Sequence, residues 1–135
     1  MRLAADANVL LSAVIGGRAR LVLGHGKVTE LLTTQKTFAE VEKYAVVLGK
    51  KKRLSLDLLL LAVATLPVTV VERTAYSTSL PAASKRIGRR DPDDVDLLAL
   101  ALHLKIPVWS NDKDFEGTGV DWFTTESLLR HLGLI

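Results

Sequence analysis

Six aspartates crowd the stretch from Asp91 to Phe115, DPDDVDLLALALHLKIPVWSNDKDF: Asp91, Asp93, Asp94, Asp96, Asp112 and Asp114. Asp94 opens an apolar helix pattern, Asp112 closes an apolar strand pattern, and Asp6 closes another such strand at the start of the chain, in RLAADAN. Three carboxylates at element ends suggest one shared site. Two carboxylates about 5 Å apart repel by roughly 3 kcal/mol even at an effective dielectric of about 20. Gathered together, Asp6, Asp94 and Asp112 therefore need either protons or a cation. Hard divalent ions with oxygen ligands, Mg²⁺ or Mn²⁺, suit them. Two such ions about 3.5 to 4 Å apart could flank a phosphodiester, one activating water and the other stabilising the leaving oxygen, which is the chemistry of nucleic-acid hydrolysis.

A purely structural account competes for several of these acids. In the first turn of a helix a carboxylate satisfies unpaired amides and opposes the positive end of the macrodipole, worth about 0.3 to 1 kcal/mol. Asp91 and Asp93 are read that way. Asp96 follows Asp94 by two residues, which turns its side chain roughly 200° away, so it is expected to meet water. Asp94 aligns instead with Leu98 and Ala101, on the face that packs against a sheet.

The elements that must position these acids follow from periodicity and punctuation. Residues 2 to 6 read as a buried strand, Asp6 to Asn8 as a turn, and the following LLSAV as a helix that Gly16 and Gly17 end. A short helix over residues 19 to 23 and a strand near 28 to 33 come next. Thr37 and Glu40 have capping-box spacing, with helix to about Leu48 and another from 55 to 65. Residues 68 to 71, VTVV, read as a buried strand, 79 to 87 as a helix with Pro81 in its first turn, and Asp91 as the cap of a helix to Leu104. Pro107 forces extension into a strand over 108 to 110, and a strand over 120 to 123 precedes a C-terminal helix capped by Thr124 or Thr125. Strands alternating with helices predict a three-layer α/β/α sandwich around a mostly parallel sheet of four to five strands. Ligands of such sheets bind outside the carboxyl ends of the strands, where Asp6 and Asp112 fall.

An Asp at the end of the first strand, a Glu early in the helix after the second, an Asp opening a helix that reads D-x-x-L-L-A-L-A-L, and a strand ending in S-N-D-x-D-F together resemble the PIN-domain ribonucleases, the family that includes the VapC toxins. The resemblance covers nearly the whole chain in order. It implies that Asp6, Glu40, Asp94 and Asp112 are catalytic and hold Mg²⁺ or Mn²⁺, with Asn8, Ser110 and Asp114 as accessory polar groups. Asp94 is preferred to Asp96 because it keeps the family's usual distance to Asp112. The resemblance also implies a single-stranded RNA substrate, a homodimer, and an antitoxin whose tail occupies the acidic groove. Without it, Glu40 reads as the capping partner of Thr37, and the two roles compete for one carboxylate.

Composition bounds the rest. A chain of 135 residues buries roughly two thirds of its unfolded surface, enough for one self-sufficient domain spanning residues 1 to 135. With no cysteine, a metal must be held by oxygen or imidazole, and a cysteine nucleophile is excluded. The longest apolar run, Leu58 to Ala64, is far short of the roughly 20 residues that span a bilayer, and Asp6 interrupts any signal-peptide core, so a cytoplasmic location is expected. A net charge of +3 mildly favours polyanionic partners. Arg86, Arg89 and Arg90 stand just before the acidic helix and are read as RNA phosphate contacts. The run Lys50 to Arg53 is read as a solvated turn, and Trp109 and Trp122 as core. His25, His103 and His131 lack ligand spacing. Two other functions stay in view: a PIN-like module that binds RNA or protein without cutting, and phosphotransfer through an aspartyl nucleophile, for which Asp6-Ala7-Asn8-Val9 lacks a second Asp.

Overall fold

β1 (Arg2–Ala5) is buried on both faces because it lies at the centre of the sheet, and its apolar run Leu3-Ala4-Ala5 is what that position demands. The computed structural model, which describes residues 1–135, places β2 (Glu30–Thr34) on one side of it and β4 (Val108–Trp109) on the other. β3 (Thr69–Val71) and β5 (Trp122–Phe123) form the two edges, giving a five-stranded, all-parallel sheet in the order β3-β2-β1-β4-β5. β3 is an exposed edge rather than the buried strand that its β-branched run predicts. Residues of that type suit any pleated surface, so they report strand and not depth.

Alternation along the strands sends side chains to two cores. Leu3, Ala5, Leu31 and Trp109 face α1 (Ala7–Val14), α3 (Gln35–Lys51), α4 (Leu56–Ala64) and α8 (Thr125–His131), with α2 (Arg20–Leu23) at the margin. Ala4, Leu32 and Val108 face α5 (Arg73–Tyr76), α6 (Leu80–Ile87) and α7 (Val95–Leu104). This is the three-layer α/β/α sandwich predicted from the alternation of elements. Residues Leu97 to Ala101 of α7, five in succession and so on every face of the helix, are buried, because α7 fills the space over β1, β2 and β4. Burying a leucine there contributes about 1.5 to 3 kcal/mol.

Several boundaries differ from those read in the sequence. α3 runs to Lys51 before Lys52 caps it, and Arg53 takes a left-handed backbone (φ 54°) in the exposed turn before α4. α5 and the 3₁₀ turn Ser77–Ser79 fill the stretch between β3 and α6 (Leu80–Ile87), where the sequence reading assigned no element before Ser79, and α6 itself begins at Leu80 rather than Ser79. α7 starts at Val95, and residues Pro92–Asp94 before it form a 3₁₀ turn capped by Asp91.

Candidate acidic site

At the carboxyl end of β1 the chain turns into α1, and Asp6 is the N-cap: its Oδ1 accepts from the Val9 amide at 2.9 Å. Its other oxygen accepts from the Ser110 hydroxyl, which lies just past the end of the neighbouring strand β4. That hydroxyl in turn accepts from the Asp112 amide at 3.0 Å, and the Asp112 carboxylate accepts from the Asp114 amide at 2.9 Å. One serine thus locks the ends of β1 and β4 together. The Trp122 indole donates to the Ser110 carbonyl at 2.7 Å and holds that serine from the next strand.

The other side of the site comes from α3 and the approach to α7. Thr34, not Thr37, caps α3, its hydroxyl accepting from the Thr37 amide at 2.9 Å. Thr37 is buried inside the helix with its own hydroxyl accepting from Thr34 at 2.8 Å, so the predicted pairing of Thr37 with Glu40 does not form. Glu40 is left free for the cleft. Asp6, Asn8, Glu40, Asp91, Asp93, Asp94 and Asp112 line that cleft with Ala7 and Tyr44, around about 210 Å³. The cleft walls carry six carboxylates and no cationic side chain. Asp114 lies at its margin, where carboxylate oxygens of Asp91, Asp112 and Asp114 come within 4.8 Å of one another.

The electrostatic consequence is visible in three groups. Burial, followed by the adjoining Asp91 carboxylate and then by Asp6 and Asp112, pushes Asp94 up to about 8. Asp6, only 5% exposed, is raised by burial against the lowering effect of its Ser110 and Val9 hydrogen bonds. Glu40 is raised by burial and by Asp93, with Lys36 pulling the other way. A hard divalent cation would relieve all three, and the all-oxygen donor set fits Mg²⁺ or Mn²⁺.

Asp91 and Asp93 are the members that sequence reasoning missed: it gives both to the helix start alone, and both line the cleft. Asp91 does cap a turn, accepting from the Asp93 amide at 3.1 Å, yet its carboxylate also faces the cleft. The signal was present: Asp91 and Asp94 stand three residues apart, the spacing that puts two side chains on one face. Asp96 is a second correction. It points away from Asp94 as predicted, but into protein rather than water. It is 3% exposed, accepts from the Tyr76 hydroxyl at 2.6 Å and pairs with Arg73 Nε at 3.3 Å. Both partners belong to α5, the element the sequence reading lacked.

The three arginines read as phosphate contacts do not line the cleft. Arg86 donates to the Thr118 carbonyl at 2.8 Å, and a Cβ on Gly119 would lie 2.3 Å from its guanidinium, so it braces the loop before β5. Arg90 donates to the Arg86 carbonyl at 3.0 Å. Trp109 is core, and Trp122 is half-buried.

A parallel α/β/α sandwich with a dense anionic cleft where the adjacent strands β1 and β4 end defines the class. The chain belongs to the PIN-domain family, whose model matches residues 5–133. Among solved structures it is similar to PAE2754 from Pyrobaculum aerophilum, at TM-score 0.76 and 14% identity over 100% of this chain and 97% of that one. It is also similar to a chain of VapBC2 from Rickettsia felis bound to a promoter DNA fragment, at 0.71 and 11% over 92% and 98%. A third likeness is to VapC20 from Mycobacterium tuberculosis, described as a Sarcin-Ricin loop cleaving toxin, at 0.59 and 16% over 87% and 95%. Among curated proteins none matches the chain. No helix is long and apolar enough to cross a membrane.

Proposed function

We propose that the protein is a metal-dependent endoribonuclease that cleaves phosphodiester bonds of single-stranded RNA, acting in the cytoplasm as the toxin of a type II toxin–antitoxin pair. The observation that carries this reading is the cleft of six carboxylates without a cation on its walls. Asp6, Glu40, Asp94 and Asp112 would hold Mg²⁺ or Mn²⁺, with Asp91 joining them and Asn8, Ser110 and Asp114 in support. When bound, such ions supply Lewis-acid stabilisation of the phosphate and an activated water. The protein's own part is placement. Ser110 fixes both Asp6 and the Asp112 backbone, so two of the four acids keep their spacing without any ligand. Glu40 closes the opposite wall, from a helix whose start is pinned by Thr34. The solved structures of toxin–antitoxin complexes with this fold support a cognate antitoxin, and the homodimer rests on the family resemblance alone.

The test is cleavage of single-stranded RNA with Mn²⁺ by the parent and by Asp6→Asn and Asp94→Asn. Asparagine caps a helix as well as aspartate does, and Asp94 makes no capping bond of its own, so both variants should fold. Each is expected to lose at least about 100-fold in rate. Undiminished cleavage by either variant would overturn the assignment. Binding of RNA without cleavage by the parent would favour a non-catalytic RNA- or protein-binding module.

A further inference from the structure

The largest cavity in the molecule is not the acidic cleft. It holds about 390 Å³ and is lined by Gln35, Lys36, Arg73, Tyr76 and Asp96. Arg73 follows β3, Gln35 and Lys36 follow β2, Asp6 follows β1 and Asp112 follows β4. The strands are parallel and neighbours, so the carboxyl edge of the sheet carries cations on one half and acids on the other, at about 4.8 Å per strand. Lys36 joins the two halves. It lies four residues before Glu40 on α3, close enough that its charge pulls against the upward shift of that carboxyl group.

Two features make the cavity anion-seeking. Asp96, the one acid in its wall, is spent: it takes the Tyr76 hydroxyl at 2.6 Å and Arg73 Nε at 3.3 Å. This contact uses only the Nε of the guanidinium, and 66% of the Arg73 side chain remains exposed. The Lys36 ammonium makes no ion pair.

We propose that this cavity is a phosphate subsite, in which Arg73 and Lys36 hold a backbone phosphate of a single-stranded nucleic acid whose neighbouring segment enters the acidic cleft. The inference rests on the nuclease reading for the direction of the strand, but its ligand is phosphate alone and does not depend on the sugar or on cleavage. The Arg73 guanidinium, paired through Nε with Asp96, keeps its outer nitrogens free for a bidentate contact, and Lys36 adds a point charge beside it.

Binding of a short oligouridylate by fluorescence anisotropy, across a NaCl series with Ca²⁺ present and the strand checked for integrity, tests this. For single strands each phosphate contact contributes about 0.7 to the slope of log affinity against log salt. Lys36→Gln is expected to weaken binding and lower the slope by about that amount, and Lys36→Arg to restore it. Arg73→Gln should do the same where its melting temperature shows it folded, while Lys52→Gln, in the exposed turn after α3, should leave the slope unchanged. A slope in Lys36→Gln equal to that of the parent, or an equal drop in Lys52→Gln, would sink the subsite. Cleavage by the parent is scored separately: a parent that cuts with no slope change in Lys36→Gln rejects only the subsite, and a slope change without cutting rejects only the nuclease.

Discussion

Asp94 is a carboxyl group that keeps its proton to about pH 8 in the ion-free protein. Its folded pKa lies above the unfolded value near 3.9, so between those values the folded state binds more protons and stability falls as pH rises. In chelator, the melting temperature of the parent should therefore drop from pH 5 to pH 8, and Asp94→Asn should flatten that drop and melt higher at pH 8; thermal melts across the range check it. Asp96 is the contrasting case, a carboxyl group whose partners are already in place. Asp96→Ala leaves the buried Tyr76 hydroxyl without its acceptor and is expected to cost about 1 to 3 kcal/mol, measured by urea unfolding. Asp6, Asp94 and Asp112 were legible because aspartates where apolar patterns start or stop are conspicuous. Asp91 was hidden by a capping role that is real but incomplete. Asp96 was hidden because its partners come from a segment with no apolar period of its own.

At the scale of elements, the start of α3 shows how sheet pairing overrides a local motif. Thr37 and Glu40 match the capping-box template, yet Thr34 is still extended because it pairs with Val71 of β3, and the helix begins immediately after it. Local spacing cannot report a pairing partner nearly forty residues away. The cap can be assigned by mutation. Thr34→Ala should lower stability by about 1 kcal/mol, while Glu40→Gln should leave it intact or slightly raised in chelator, since Glu40 is a strained acid and not a cap; equilibrium denaturation of both variants decides. The short 3₁₀ turns at Pro92–Asp94 and Lys113–Phe115 escaped notice for a related reason. Both are set by aspartates bonding amides two residues on, a pattern that also fits a helix start.

For the whole molecule, the parallel sheet was readable because strands and helices alternate from end to end, and the acidic cleft follows from the carboxyl ends of β1 and β4 being neighbours. A ligand that binds only the folded state stabilises it by about 2.7 kcal/mol at a hundred times its Kd. Mn²⁺ should accordingly raise the melting temperature, more at pH 8 than at pH 5, where protons compete for Asp94; differential scanning fluorimetry with and without chelator reads both, and no response at either pH would count against a metal site. The exposed turn at Lys52–Arg53 has a consequence for how the site is assembled. It divides the six acids of the cleft two and four, with Asp6 and Glu40 on the N-terminal side and Asp91, Asp93, Asp94 and Asp112 on the other, and it also separates β1 from β4. A chain interrupted there yields two half-sites, neither with the full set of carboxylates, so the site is a property of the joined sheet and of no segment within it.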